Sequence, residues 1–310
     1  AAPPHRGEMT ATSTNTPRAV TRLAAEWPTL ALFAVAYGGV AGLLFLPVWA
    51  AIPGLALLIA LHASLQHEAI HGHPFRAAWA NAALAWPPLT LAIPYLRFYD
   101  THLAHHTDAR LTDPFDDPET NFLASADYAR LPAWVRGVLR VNNTLIGRLL
   151  IGPVVGQVMF VMGDVRAARE GDRRVALGWL LHVPAVVVVI ALVLLSPLPL
   201  WAYLVAAYLA LSILKIRTFC EHQAHEQTGG RSVIIEDRGP LALIFLNNNL
   251  HVVHHLHPNV PWYELPAQFR ARRDKYLKLN DDYRFSSYWE VFRRYFLRAK
   301  DPVAHPLWRR

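Results

Sequence analysis

Eight of the sixteen histidines in this 310-residue chain fall into three clusters whose spacing can do chemistry. The first is His67-Glu-Ala-Ile-His71, the second His102-Leu-Ala-His105-His106 and the third His251-Val-Val-His254-His255. On a helix, side chains three or four positions apart share a face. His67 and His71 can therefore turn to one metal ion. His102 and His251 each share a face with both histidines that follow. Neighbouring positions diverge by about 100° on a helix, so His105–His106 and His254–His255 can each serve two adjacent metals. Imidazole suits zinc, copper, iron and nickel. A catalytic zinc takes three protein ligands and a water, so eight rings are enough for two metals. Two irons could activate O2 for attack on an unactivated C–H bond. The single cysteine, Cys220, excludes both an internal disulfide and a cysteine-based metal site. The isolated His5, His62, His182 and His305 read as ordinary structural residues.

Something must carry these clusters, and the composition says what. Hydrophobic residues make up 53% of the chain and charged ones 17%, against about 25% charged in soluble domains. Apolar runs cover Trp27–Trp49, Ile52–Leu65, Asn81–Leu96, Leu145–Met162, Ala176–Leu195 and Leu198–Leu214. About 20 apolar residues cross a bilayer. The first two runs, joined at Pro47–Gly54, form one transmembrane hairpin, with the second helix continuing into His67–His73. The last two, joined by Ser196-Pro-Leu-Pro199, form another. The net charge of +7 sits mostly beside apolar segments, the positive-inside pattern, and does not indicate nucleic acid.

If the histidine-rich segments build one site, they lie on one side of the membrane. The run 81–96, broken by Pro87, Pro88 and Pro94, is then re-entrant or interfacial, and 145–162 lies in the interface. The loop Asp164–Arg174, with four arginines, faces the cytoplasm. The expected fold is all-α integral membrane: four transmembrane helices in two hairpins, interfacial helices and a cytoplasmic histidine-rich cap. Residues 1–25 read as a disordered cytoplasmic tail without a signal peptide, with Met9 a candidate start. Residues 26–269 form the membrane-embedded domain, and 270–310 a basic helical tail of the same domain. The expected location is a bacterial-type inner membrane, with the site on the cytoplasmic side.

The three clusters, in this order around two hairpins, resemble the integral-membrane fatty acid desaturase superfamily, which includes carotenoid ketolases and, more distantly, alkane hydroxylases. The segment His251-Val-Val-His254-His255-Leu-His-Pro-Asn-Val-Pro-Trp-Tyr-Glu-Leu-Pro266 looks like that family's HxxHHLxPxxPxxxLP pattern. The similarity covers roughly Trp27 to Phe269. It implies a non-haem diiron centre with O2 as co-substrate, ligated by His67, His71, His102, His105, His106, His251, His254 and His255. The family's lone ligand at the end of the last spanning helix maps to His222, with His225 the competing choice and otherwise an outer partner. His73 and His257 flank the clusters and read as outer or solvent-facing residues.

Ligating imidazoles donate their outer N–H to carboxylates or carbonyls. Glu68, Asp108 and Glu221 are placed for that role. Asp113–Glu119, with Pro114 and Pro118, reads as a polar turn. Asn247, with Asn248 and Asn249, precedes the third cluster and either holds a metal-linked water or caps the helix.

The resemblance implies a membrane-bound desaturase that inserts a C=C bond into a lipid hydrocarbon chain. Its alternative is a hydroxylase or ketolase of an acyl chain, carotenoid or other terpenoid. A non-catalytic metal or haem protein is a remote third reading. The first cluster has one residue fewer than many acyl desaturases, a spacing also found in bacterial members and ketolases. The C-terminal region has neither a haem-binding histidine pair nor an iron–sulfur cysteine set. Electrons must then come from a separate ferredoxin-like donor and its reductase, which the Arg/Lys-rich surface could dock.

Overall fold

The computed structural model describes residues 25–308, apart from the side chain of Asp108. The expected N-terminal tail and Met9 lie outside the described residues. The first apolar runs become helices α1 (Trp27–Leu43), α2 (Val48–Ile70) and α3 (Ala78–Ala85), and the mixed segment after them becomes α4 (Tyr95–His105). Short helices α5 (Ser125–Arg130), α6 (Ala133–Asn142) and α7 (Leu145–Leu150) lead into α8 (Gly152–Arg169), α9 (Arg173–Leu194) and α10 (Leu200–Cys220). The cap carries α11 (Pro240–Ile244), α12 (His251–Leu256), α13 (Leu265–Ala271), α14 (Arg273–Leu279) and α15 (Tyr288–Tyr295).

Among the described residues three helices, α2, α9 and α10, are long and apolar enough to cross a membrane. This is one fewer than the sequence suggests. The fourth expected span, α1, is apolar but has 17 residues, about 25 Å at 1.5 Å per residue, short of a hydrocarbon core of about 30 Å. Pro28 starts it, and the chain bends out of it at Leu44–Pro47. α1 packs on α2 through Thr29, Phe33, Ala36 and Val40, a three-and-four spacing that makes one buried face. A Cβ at Gly39 would stand 2.4 Å from Leu58 Cδ1, so glycine permits this approach.

Helix α2 is the centre of the molecule. Its last nine residues, His62–Ile70, are buried except Ala63, because α1, α3, α4 and α10 surround it. Polar side chains inside find partners: Tyr37 Oη lies 2.8 Å from His62 Nε2, and Gln66 Nε2 donates to Ala85 O at 2.7 Å. Although α9 precedes α10 across Ser196–Pro199, the main partner of α10 is α2. Ala202, Ala206, Ala207 and Ala210 make its contact face narrow.

The proline-interrupted run ends as α3 of only eight residues, then irregular chain up to Pro94. It is far too short to cross. The run 145–162 divides at Ile151 into α7 and α8, and α8 is not among the candidate spans.

The expected basic tail is more structured than a helix alone. A two-residue strand β1 (Ile234–Ile235) pairs in parallel with β2 (Arg284–Phe285), and Tyr276, Phe285, Tyr288 and Val291 are buried against the cap. Beyond α15 the chain runs as an extended strap whose Val303–Ala304 pairs with Leu123.

Candidate metal centre

The nine histidines converge at the ends of α2, α4 and α10 and on α12. They form two groups, His67, His71, His102, His106 and His254 in one, and His105, His222, His251 and His255 in the other. Within each group the nearest ring nitrogens all lie within 4.8 Å of one another and could hold a metal ion. The neighbours in each HH pair go to different groups, as the 100° helical step requires. His106 and His255 stack across the boundary at 4.3 Å between centroids.

The nitrogen spacing is informative. Nε2 of His102 lies 3.0 Å from those of His71 and of His106, and Nε2 of His106 lies 3.1 Å from that of His254. In the second group, His222 Nε2 is 2.9 Å from His105 Nε2 and 3.0 Å from His251 Nε2. Two imidazoles at right angles on one metal, with bonds of about 2.1 Å, place their nitrogens about 3 Å apart. His67 Nε2, buried within the first group, has no hydrogen-bond partner, which is costly unless something occupies it. The donor set fits one transition metal per group.

Outer partners fix the ring orientations. His105 Nδ1 donates to Asp117 Oδ1 at 2.8 Å, His102 Nδ1 to Glu119 Oε1 at 3.2 Å, and His251 Nδ1 to Asn248 Oδ1 at 2.9 Å. His222 Nδ1 faces Ser232 Oγ at 3.3 Å. With the proton held outward, each Nε2 lone pair points inward.

Burial reinforces this by disfavouring the charged rings. It holds His254 and His251 well below the ordinary imidazole range, and His222 as well, with His105 adding to the effect there. His71 is pushed down to about 2 by burial and by His102. His105 differs. Burial would lower it, but Glu119 and Asp117 raise it to about 9. Glu119, which burial alone would raise, is held well below the carboxylate range by His105 and His102.

The structure corrects several outer-partner assignments. Glu68 lies 3.7 Å from His67 Nδ1, beyond a hydrogen bond, and accepts instead from Trp262 N at 3.1 Å. Glu221 pairs with Arg217 at 2.8 Å and stands 3.9 Å from His251 Nδ1. The Asp108 side chain is outside the described residues. Asn247 donates to Trp262 O and neither faces the rings nor caps the helix; the facing residue is Asn248. His225 turns away toward Asp281 and Gln227, and His222 takes the place in the group. His73 pairs with Glu26, and His257 packs on Tyr276.

Asp117 and Glu119 come from the segment that reads as a plain polar turn. Their separation of 12 and 17 residues from the rings they hold leaves no periodic signal. The sequence cue is a run of acidic residues around Pro114 and Pro118 after the second cluster.

A family model for fatty acid desaturases matches residues 42–287. The chain belongs to the fatty acid desaturase family. The match contains all nine histidines of both groups. It also reaches past Phe269 to take in α14 and β2, while the strap after α15 lies beyond it. No curated protein matches the chain. Membership points to oxidoreductase chemistry on a lipid at a membrane.

Proposed function

We propose that this desaturase-family protein is an O2-dependent non-haem diiron enzyme that inserts a C=C bond into a lipid hydrocarbon chain. The observation that carries the reading is the pair of adjacent all-histidine groups within the family match. Two irons held there would supply, with O2 and two electrons, the oxidising power to remove hydrogen from an unactivated C–H bond. Two hydrogens from the chain, two electrons and two protons reduce O2 to two waters, and the carbon pair keeps a double bond.

His67, His71, His102, His106 and His254 would hold one iron, and His105, His222, His251 and His255 the other. Asp117, Glu119 and Asn248 hold the rings oriented. Groups of five and four converging imidazoles differ from haem ligation, which uses at most two axial side chains. The ligands sit at the ends of apolar helices, so an acyl chain can approach from the hydrocarbon while the cap excludes water. In this reading α1, short as it is, returns the chain across the membrane beside α2, with Glu26 N donating to Pro74 O at 3.0 Å, so that both termini and the cap face the cytoplasm of a bacterial-type inner membrane. A separate ferredoxin-like carrier delivers the electrons to the basic surface that exposes Arg270, Arg272, Lys275 and Lys278.

Hydroxylation or ketone formation on an acyl chain, carotenoid or other terpenoid uses the same site and differs only in the fate of the carbon radical. Mass spectrometry of total lipids from a bacterial host, with and without the protein and supplied with iron and a ferredoxin–reductase pair, separates the two. The proposal expects a product about 2 mass units lighter, the two lost hydrogens of the mechanism. A product heavier by one oxygen would replace desaturase with hydroxylase. Iron-loaded protein that transforms neither lipids nor added terpenoids would refute the oxygenase reading.

A further inference from the structure

Eight of the nine histidines lie in a helix or at its C-cap; His222 follows the C-cap residue of α10 instead. No helical neighbour fixes its ring. Its main chain is held from outside. Residues 221–223 run antiparallel to 231–233, with Val233 N donating to Glu221 O and Gln223 N to Arg231 O, both at 3.0 Å. That pairing leaves the His222 carbonyl to another donor.

The donor is Lys300, 78 residues away, whose Nζ reaches His222 O at 2.9 Å. The Lys300 side chain is 8% exposed and pairs with Asp301. It also donates to Tyr283 Oη at 3.3 Å, and Tyr283 Oη donates to Cys220 O at 2.7 Å. One lysine and one tyrosine thus satisfy carbonyls at the open C-terminal end of α10, where a cation is also favoured by the helix dipole.

The same strap holds the loop that orients the second cluster. Leu123 N donates to Val303 O and His305 N to Leu123 O, both at 2.9 Å, and Thr112 Oγ1 lies 3.3 Å from His305 Nε2. Thr112 N in turn donates to Asp117 Oδ2 at 2.9 Å, the carboxylate that holds His105. His105 and His222 belong to the same four-histidine group. The strap touches that group from two sides, and it lies outside the family match, which ends at residue 287.

We propose that Lys300 is a positioning residue for the four-histidine group, holding His222 through its carbonyl, a contact that the five-histidine group does not share. This rests on the two-metal reading. The test uses the full chain, reconstituted with iron and challenged with a chelator. Wild type should retain two irons per chain. K300M should hold one of them on the order of tenfold more weakly, the low end of the loss expected for an outer partner. K300R, which can still reach the carbonyl and Asp301, should restore retention.

Mössbauer spectra should show one iron environment altered and the other unchanged, and the iron-free K300M protein should melt within a few degrees of iron-free wild type. If K300M is not recovered folded, K300Q carries the test. Its side chain is one bond too short for the carbonyl but keeps a polar group beside Asp301, and it should give the same selective loss. Equal retention of both irons in the lysine variants, or equal weakening of both, would overturn the positioning role. Wild type that binds no iron would instead overturn the two-metal reading.

Discussion

The two histidine groups are built in different ways. The five-histidine group takes His67 and His71 from the end of α2, His102 and His106 from α4, and His254 from α12. Four of its members are pairs at i,i+4 spacing, so helix geometry alone aligns them. The four-histidine group has one such pair, His251 and His255, plus single contributions from α4 and from the chain after α10. It therefore relies on long-range tethers: Asp117 on His105, Ser232 on the ring of His222, and the strap on its main chain. Local periodicity aligns four of the five rings of the first group, one of which Glu119 also holds, whereas two of the four rings of the second depend on tertiary contacts.

Removing a ligand from either group should have the largest effect. H254A should lose the metal of the five-histidine group and H251A that of the other. Activity should fall by more than about a hundredfold, since even outer partners cost roughly 10–100-fold. Iron content and turnover check this, and H225A should leave both intact because His225 faces Asp281. Loss of iron in H225A with retention in H222A would reverse the assignment of the lone ligand.

A smaller and more selective effect is expected one step outward. D117N should weaken the four-histidine group and E119Q the five-histidine group, each by about tenfold in metal affinity. Competitive metal titration of each variant reads this. If D117N instead weakened the five-histidine group, the separation of the two supports would fail.

What the sequence made legible follows the same division. The clusters, the helices α2, α9 and α10, and the splitting of each HH pair between two histidine groups all come from local spacing. The shortfall in α1 was hidden because composition runs on through Leu43–Trp49, while the helix ends before Pro47. The choice between Asn247 and Asn248 was invisible in a run of three asparagines. Leu246 and Asn247 take left-handed backbone conformations, φ 51° and 57°, and that turn faces Asn248 toward His251. Asp117, Glu119 and Lys300 act across 12, 17 and 78 residues, and no periodicity marks such contacts.

Interior tethers away from the metals should affect stability more than chemistry. Asp164 is buried and accepts from Arg97 at 2.9 and 3.0 Å and from Trp179 Nε1 at 2.8 Å, tying α4 to α8 and α9. D164N leaves Arg97 only the more distant Asp100, 3.8 Å away, and a loss of up to about 3 kcal/mol is expected. Thermal unfolding in detergent should show it while both irons remain bound. Selective loss of one iron would mean that α4 position, not outer hydrogen bonding, sets affinity.

The smallest effect concerns Glu236, beside the β1–β2 pair that backs the 231–233 segment. Arg273 and Arg284 hold its carboxyl below the ordinary range. A lowered folded value means that the contribution is present at neutral pH and disappears as pH falls through that value. E236Q should therefore lower stability at pH 7 by less than ~1 kcal/mol, given solvent screening, and match wild type in acid. An equal deficit at both pH values would show that charge is not the cause.

The central claim is two metals on two histidine groups, and metal counting with spectroscopy tests it most directly. Wild-type protein purified from iron-supplied cells should carry two irons per chain in two distinguishable Mössbauer environments, falling to one in H254A and one in H251A with opposite environments lost. A single metal per chain, or two metals that both vanish with either substitution and return with neither group intact, would contradict it.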